Sequence, residues 1–146
     1  MLLIIRNEKM LLEMIQDTEK TFPEHLAFFM LHHLHHPERT ALFHQIEERL
    51  STTGQGIQLL FSELYRIRRQ RLRIIIRMTE SYLVDIHSSM TTRDYLAAIW
   101  SLTYGAAVIL NSSFYQRYLG SRDTLRVAYI EQALAMPKQL EHVVAS

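Results

Sequence analysis

Apolar residues recur along this chain at intervals of three and four positions, which is the spacing of one face of an α-helix. Leu42, Ile46 and Leu50 keep that spacing in one segment, and Ile57–Ile86 keeps it over much of its length. Prolines, glycines and clusters of serine and threonine separate the periodic segments, as expected between helices. Pro137 bends or ends the last helix. We predict helices over Asn7–Glu19, Thr21–Leu34, Glu38–Leu50, Ile57–Ile86, Arg93–Leu110 and Arg122–Met136.

Several of the predicted helix ends are marked by residues that cap or stop a helix. Thr21 and Glu24 have the spacing of a capping box, with Pro23 in the first turn. Pro37 ends the second predicted helix, because the residue before a proline is pushed away from helical geometry. Residues 51–56 contain two glycines and form the clearest predicted loop.

The fifth predicted helix is apolar almost all round, and Thr91 and Asp94 have the spacing that caps its start. The stretch from Tyr95 to Ile109 contains no charged side chain. A helix without a polar face is buried on every side. In a chain of this size we expect one side of this helix to pack on the protein's own core and the other side on a partner.

The composition favours one globular all-α domain over residues 1–146. The chain has 146 residues, of which 48% are hydrophobic and 21% charged, an ordinary balance for a single domain. Only 4 glycines and 3 prolines are present, which argues against a turn-rich β fold. The formal net charge of +1 lacks the excess of positive charge with which proteins bind nucleic-acid phosphates.

Two features missing from the sequence exclude further kinds of site and of location. The chain has no cysteine, so disulfides, thiolate nucleophiles and cysteine-based zinc sites are excluded. No uncharged apolar run approaches the roughly 20 residues that span a bilayer, and no signal-peptide cleavage site follows the short apolar start Met1–Ile5. We therefore expect a cytoplasmic protein with no membrane partner.

Histidines cluster in the second predicted helix and at its end. His32 and His36 lie one turn apart and His25 two turns earlier on the same face, a spacing that could serve one metal ion. A helical-bundle metal-binding protein or enzyme built on this face is one hypothesis. The other explanation is that the helix dipole favours protonated histidines near a helix C-terminus. Because neither a Glu-x-x-His pair nor a Gly-x-Ser-x-Gly motif occurs, we expect no enzyme activity and no cofactor.

Arginines form a stripe along the long predicted helix at Arg66, Arg69, Arg73 and Arg77. A basic helix face of this kind can bind phosphates or an anionic ligand. The interleaved aromatic residues that stack on bases are absent apart from Tyr65. We favour a solvent-exposed face whose arginines pair with neighbouring glutamates.

Aromatic and methionine side chains are abundant on the predicted inward faces. Such side chains fill protein cores, and they also line apolar ligand pockets. We expect a pocket for an apolar or aromatic small molecule between the second, third, fourth and fifth helices. Its predicted lining is Phe28, His32, Phe43, Leu60, Leu64, Met78, Tyr82, Trp100 and Tyr104.

Four segments spread along the chain resemble the C-terminal regulatory domain of TetR-family repressors. Ile5–Leu12 resembles the start of the helix that links the family's DNA-binding head to its body. His36-Pro37 before a helix and the polar turn Met90–Asp94 resemble later landmarks of that domain. Ala98–Gly105 resembles the small-residue seam of the family's dimer interface. The resemblance implies an all-α bundle of about six helices that binds a ligand and forms a homodimer.

The resemblance also implies partners and interface residues. Two copies would pair through their last two long helices, Arg93–Leu110 and Arg122–Met136, to form a four-helix interface. The chain begins where the family's helix-turn-helix head would end, so we expect no direct DNA binding by this chain alone. It could instead act by pairing with a full-length TetR-type relative. The implied interface residues are Ala98, Leu102, Gly105, Ala106, Ile109, Leu125 and Tyr129.

Overall fold

Residues 1–53 and 57–145 are described in the computed structural model, with the exception of the side chains of 139–145. All of their regular secondary structure is helical, which confirms the predicted all-α class with about six helices. Residues 54–56 of the predicted loop lie outside the described residues. The elements are α1 (Leu2–Ile15), α2 (Phe22–Leu34), α3 (Pro37–Thr53), α4 (Gln58–Asp85), α5 (Thr92–Leu110), a short 3-10 helix (Tyr115–Arg117) and α6 (Arg122–Ala145).

The first helix begins earlier than predicted, at Leu2, because its first turns are held by packing on α4. Ile4 and Ile5 are buried and form a small core cluster with Leu64 and Ile67. Tertiary contacts of this kind stabilise a helix end that lacks its own sequence signal. The apolar start of the chain is therefore part of the fold.

Two further helix ends differ from the prediction because side chains bond to nearby backbone groups. Helix α1 ends at Ile15, and the Asp17 carboxylate accepts a hydrogen bond from the backbone N–H of Glu19 at 3.0 Å, which turns the chain. Helix α3 continues to Thr53, since the hydroxyls of 51–53 donate to carbonyls one turn earlier.

The two predicted helix caps are confirmed. Thr21 accepts the backbone N–H of Glu24, and the Glu24 carboxylate accepts the backbone N–H of Thr21, which completes a capping box. Thr91 accepts the backbone N–H of Asp94 at 3.1 Å. Each cap satisfies amide groups that have no partner inside the helix, so the starts of α2 and α5 are fixed locally.

Helix α6 continues through Pro137, so the predicted end of the helix at this residue is wrong, while the predicted bend there stays a prediction. A proline within a helix leaves the carbonyl four residues earlier without its usual donor. That carbonyl belongs to Ala133, and the buried Tyr95 hydroxyl of α5 donates to it at 2.6 Å. The Ser88 hydroxyl also donates to the Pro137 carbonyl at 2.7 Å. Side chains from outside the helix thus replace the missing bond and hold α6 across the proline.

Helix α5 is the centre of the main core and packs against α2, α3, α4 and α6. It supplies more of the buried core residues than any other helix. No helix in the described ranges is long and apolar enough to cross a membrane. The buried core residues are Leu26, Met30, Leu34, Leu83, Tyr95, Leu96, Ile99, Ala106, Ala107, Leu110 and Ala133.

One side of α5 is exposed in the single chain, although the helix carries no charged residue after Asp94. Ala97, Ser101, Gly105 and Val108 are exposed and follow one another at three- and four-residue steps, and the exposed Tyr104 lies beside this row. We call this surface the α5 stripe. The prediction that a partner covers this side of the helix stays a prediction.

Candidate ligand-binding site

An apolar cavity that is partly open to solvent lies between α1, α2, α4 and α5. Almost all of its lining is aliphatic or aromatic, which is the usual character of a small-molecule site. The exceptions are His25 and Arg71. The lining includes Leu11, Ile15, Phe22, Leu26, Phe28, Phe29, Ile75, Met78, Leu96, Ile99 and Trp100.

The nine residues predicted for one pocket are distributed over four places. The apolar cavity contains Phe28, Met78 and Trp100. A second, polar cavity contains His32, Phe43 and Tyr104. The small core cluster around α1 and α4 contains Leu60 and Leu64. Tyr82 packs on the main core, where its ring stacks on Phe22 at 4.4 Å between centroids.

The polar cavity adjoins α1, α2, α3, α4 and α5 and is also partly open to solvent. It was not foreseen as a separate site, because its polar residues come from segments far apart in the sequence. Two side chains of α3, Arg39 and His44, line it without a hydrogen bond or ion pair to the described residues. The other polar lining residues are Asn7, Glu8, His32, His33, Thr40, Glu47, Arg68 and Tyr104.

A buried ion-pair network links residues that line the polar cavity with Arg71, which lines the apolar cavity. Glu8 of α1 is only 6% exposed and accepts from Arg68 Nε at 3.0 Å and from Arg71 Nη2 at 2.8 Å. Arg68 also binds Glu47 of α3 through both terminal nitrogens. Burial alone lowers the pKa of Arg68, but the bonds to Glu47 and the charge of Glu8 outweigh it and raise that pKa. Two cations and two anions therefore balance one another here.

This network was not predicted, because its two arginines lie outside the exposed arginine stripe. Arg66 of that stripe does pair with Glu63 on the surface, at 2.8 Å, in the way the sequence predicted. Arg68 and Arg71 lie instead on the line of the apolar stripe of α4. Arg68 comes four residues after buried Leu64, and Arg71 comes four residues before Ile75. Charged residues that continue an apolar stripe are the signal that would have identified them.

His33 of α2 lines the polar cavity and is buried, with 7% of its surface exposed. Its Nδ1 lies 3.0 Å from the Thr40 hydroxyl, which itself lies 3.3 Å from the His33 carbonyl. Pro37, four residues after His33, has no N–H to donate to that carbonyl, so we assign the Thr40 hydroxyl as its donor and the imidazole proton to Nδ1. The Nε2 atom is then an unprotonated acceptor, and it has no partner among the described residues.

The environment of His33 keeps its ring neutral. Burial lowers the pKa of His33 to about 3, and the charges of Arg71 and Arg39, together with that of His32 when it is protonated, act in the same direction. Burial also lowers the pKa of His32, assisted by Arg39. The polar cavity therefore presents the neutral imidazole of His33 beside fixed cations.

The structure does not bring His25, His32 and His36 together as a metal site. His25 Nε2 lies 2.9 Å from the Asp17 carbonyl, and His32 Nε2 lies 2.8 Å from Asn7 Oδ1. His36 is exposed near a glutamate of α3. Within 1–53 and the described part that follows, no three potential ligands are grouped around one point.

The residues predicted for a dimer interface have unequal exposure. Only Gly105 is exposed, and Ala106 is buried in the main core. Those that remain are half-buried, and several of them pack against the core of their own chain. They are Ala98, Leu102, Ile109, Leu125 and Tyr129.

Comparison with known proteins does not add a family to these observations. No protein-family model matches the chain, and no curated protein matches its sequence. The function must therefore be inferred from the cavities themselves.

Proposed function

We propose that this chain is a regulatory binding domain that holds a small apolar or aromatic molecule in the cavity between α1, α2, α4 and α5. The observation that supports this most directly is the apolar lining of a partly open cavity. Phe28 lies exposed at this site and Trp100 is half-buried in it, so aromatic surface is available to a planar ligand.

The resemblance to TetR-type regulatory domains adds a biological role to this proposal. In that role, ligand binding shifts the protein between two conformations with different affinities for the ligand. The effect would reach transcription through a paired full-length relative, since we propose no direct DNA contact by this chain.

Filling the cavity is expected to abolish ligand binding. Ile75 lines the cavity from α4, and Ile75→Phe places a larger ring there. Trp100 is the only tryptophan, so bromobenzene bound beside it should quench the protein's fluorescence in a saturable way. We expect the variant to bind at least about tenfold more weakly, a loss of roughly 1.4 kcal/mol.

The matched control is Leu59→Phe, on the same helix but 85% exposed. It should bind bromobenzene as the unmodified chain does. Quenching that never saturates, or that Ile75→Phe leaves unchanged, contradicts the proposed cavity site.

We also propose that a second copy of this chain packs on the α5 stripe. Small side chains there allow two backbones to approach closely, and exposed aromatics such as Phe114 and Tyr118 lie next to the 3-10 helix that contacts α5. A Cβ atom added at Gly105 meets nothing within 4 Å. The substitution Gly105→Trp therefore fits the single chain and should convert a dimer to a monomer in sedimentation.

The control for the dimer is Gly105→Ala, which adds one methyl group and favours the helix. It should keep both the sedimentation mass and the helical circular dichroism of the unmodified chain. A Gly105→Trp protein that still sediments as a dimer places the interface elsewhere, and an unmodified chain that sediments as a monomer removes it.

A further inference from the structure

Two buried side-chain nitrogens in the described residues have no hydrogen-bond partner, and they are chemically complementary. One is His33 Nε2 and the other is Arg71 Nε. The first is an acceptor, because the contact with Thr40 places the ring proton on Nδ1. The second is an N–H donor. Buried polar atoms without partners are rare in folded proteins, so a pair of them needs an explanation.

Each nitrogen belongs to a side chain that lines one cavity and contacts a residue that lines the other, so we call this region the wall between the cavities. Arg71 lines the apolar cavity, while its partner Glu8 lines the polar one. Phe29 lines the apolar cavity and contacts the His33 ring edge to face, with centroids 4.8 Å apart, and His33 lines the polar cavity. The charge of Arg71 is near enough to lower the pKa of His33.

We propose that the ligand of the apolar cavity carries a neutral hydroxyl head group that donates to His33 Nε2 and accepts from Arg71 Nε. This inference rests on the proposed function and names its ligand class, an aromatic or aliphatic alcohol, with a phenol as the simplest member. The apolar body of the ligand occupies the cavity, and its hydroxyl lies at the wall.

The charges around the wall exclude the other common head groups. A carboxylate would face the lone pair of His33 Nε2, and the charge of Arg71 is already paired with Glu8 at 2.8 Å. An ammonium group would be repelled by Arg71 and by nearby Arg68. A hydroxyl both donates and accepts, so it satisfies the two nitrogens without adding a charge to a buried, balanced network.

The two nitrogens are covered by neighbouring side chains, so binding requires a small rotation at the wall. We place it at Phe29, because this ring lines the apolar cavity and packs edge to face on His33. Rotation of one aromatic ring about its side-chain bonds leaves the helices in place.

Three ligands with one ring system test the head group. Isothermal titration of the full chain with 2-naphthol, naphthalene and 2-naphthoate keeps the apolar body constant and changes only the polar group. We expect 2-naphthol to bind about tenfold more tightly than naphthalene, and 2-naphthoate to bind more weakly than both. Equal binding of 2-naphthol and naphthalene overturns the hydroxyl assignment and still supports the cavity. Binding by none of the three overturns the proposed function and the inference with it.

Substitution of His33 tests whether its Nε2 atom, rather than the packing of its ring, gives the preference for a hydroxyl. His33→Asn keeps a donor toward Thr40 and removes the acceptor at Nε2. In this variant 2-naphthol and naphthalene should bind with equal affinity. The control His36→Asn changes an exposed histidine outside both cavities and should keep the preference for 2-naphthol. A His33→Asn protein that retains the preference contradicts the proposal.

A measurement on the unmodified chain covers the case in which His33→Asn fails to fold. Nitrogen-15 NMR of the histidine rings should show His33 with an unprotonated Nε2, and its resonance should shift on addition of 2-naphthol but not of naphthalene. A proton on Nε2, or an identical response to both ligands, overturns the inference.

Discussion

Replacement of Glu8 with alanine is expected to lower the free energy of unfolding by about 3–5 kcal/mol, the cost of leaving a buried charge without its partner. Glu8 holds Arg71 at 2.8 Å and shares Arg68 with Glu47. Its loss leaves the Arg71 guanidinium, 13% exposed, without an anion. Urea denaturation followed by circular dichroism measures the change directly.

The surface pair Glu63 and Arg66 provides the control for this prediction. Glu63→Ala removes an ion pair of similar length, 2.8 Å, on the exposed side of α4, where water screens the charges. Its effect should be far smaller than that of Glu8→Ala. The double variant Glu8→Met with Arg71→Met should recover most of the loss, because Arg68 keeps Glu47 and no unpaired charge remains. A cost for Glu8→Ala no larger than that for Glu63→Ala would contradict the buried network.

The second large effect is a loss of stability in mild acid caused by His33. The unfolded chain binds a proton at this ring near the ordinary pKa of 6.5, whereas the folded protein binds it only near a pKa of about 3. Between these values the unfolded state holds more protons, so stability is complete above pH 6.5 and falls as the pH is lowered toward 3. The slope is about 1.4 kcal/mol per pH unit, or roughly 2 kcal/mol between pH 6.5 and 5.

Urea unfolding at several pH values between 6.5 and 5 checks this prediction, since carboxylates with lowered pKa, such as those of Asp17 and Glu63, lose their contribution only at lower pH. His33→Asn should flatten the dependence, apart from a smaller effect of His32, whose pKa is also lowered by burial. His36→Asn should keep the full slope. A slope that His33→Asn does not reduce would assign the acid sensitivity to other groups.

The helical fold was predictable because its determinants are local. Periodic apolar residues and the caps at Thr21 and Thr91 act within a few positions, and the sequence displays both. The course of α6 was not predictable by the same means. Its continuation across Pro137 depends on the hydroxyl of Tyr95, far away in the chain, and local rules describe only the missing bond.

The candidate site was predictable in its chemistry and not in its boundaries. Aromatic and methionine residues indicated an apolar pocket, and Phe28, Met78 and Trp100 do line one. The division into two cavities follows from ion pairs between α1 and α4, such as Glu8 with Arg71. Pairings over such sequence separations are set by helix packing, for which spacing along the chain gives no rule.

The Tyr95 contact also has a consequence for the order in which the molecule assembles. A helix interrupted by proline is not expected to continue until an outside donor reaches the unpaired carbonyl of Ala133. That donor is in place only after α5 has docked. The part of α6 beyond Pro137 is thus expected to form late in folding, as a product of tertiary assembly rather than as one of its starting points.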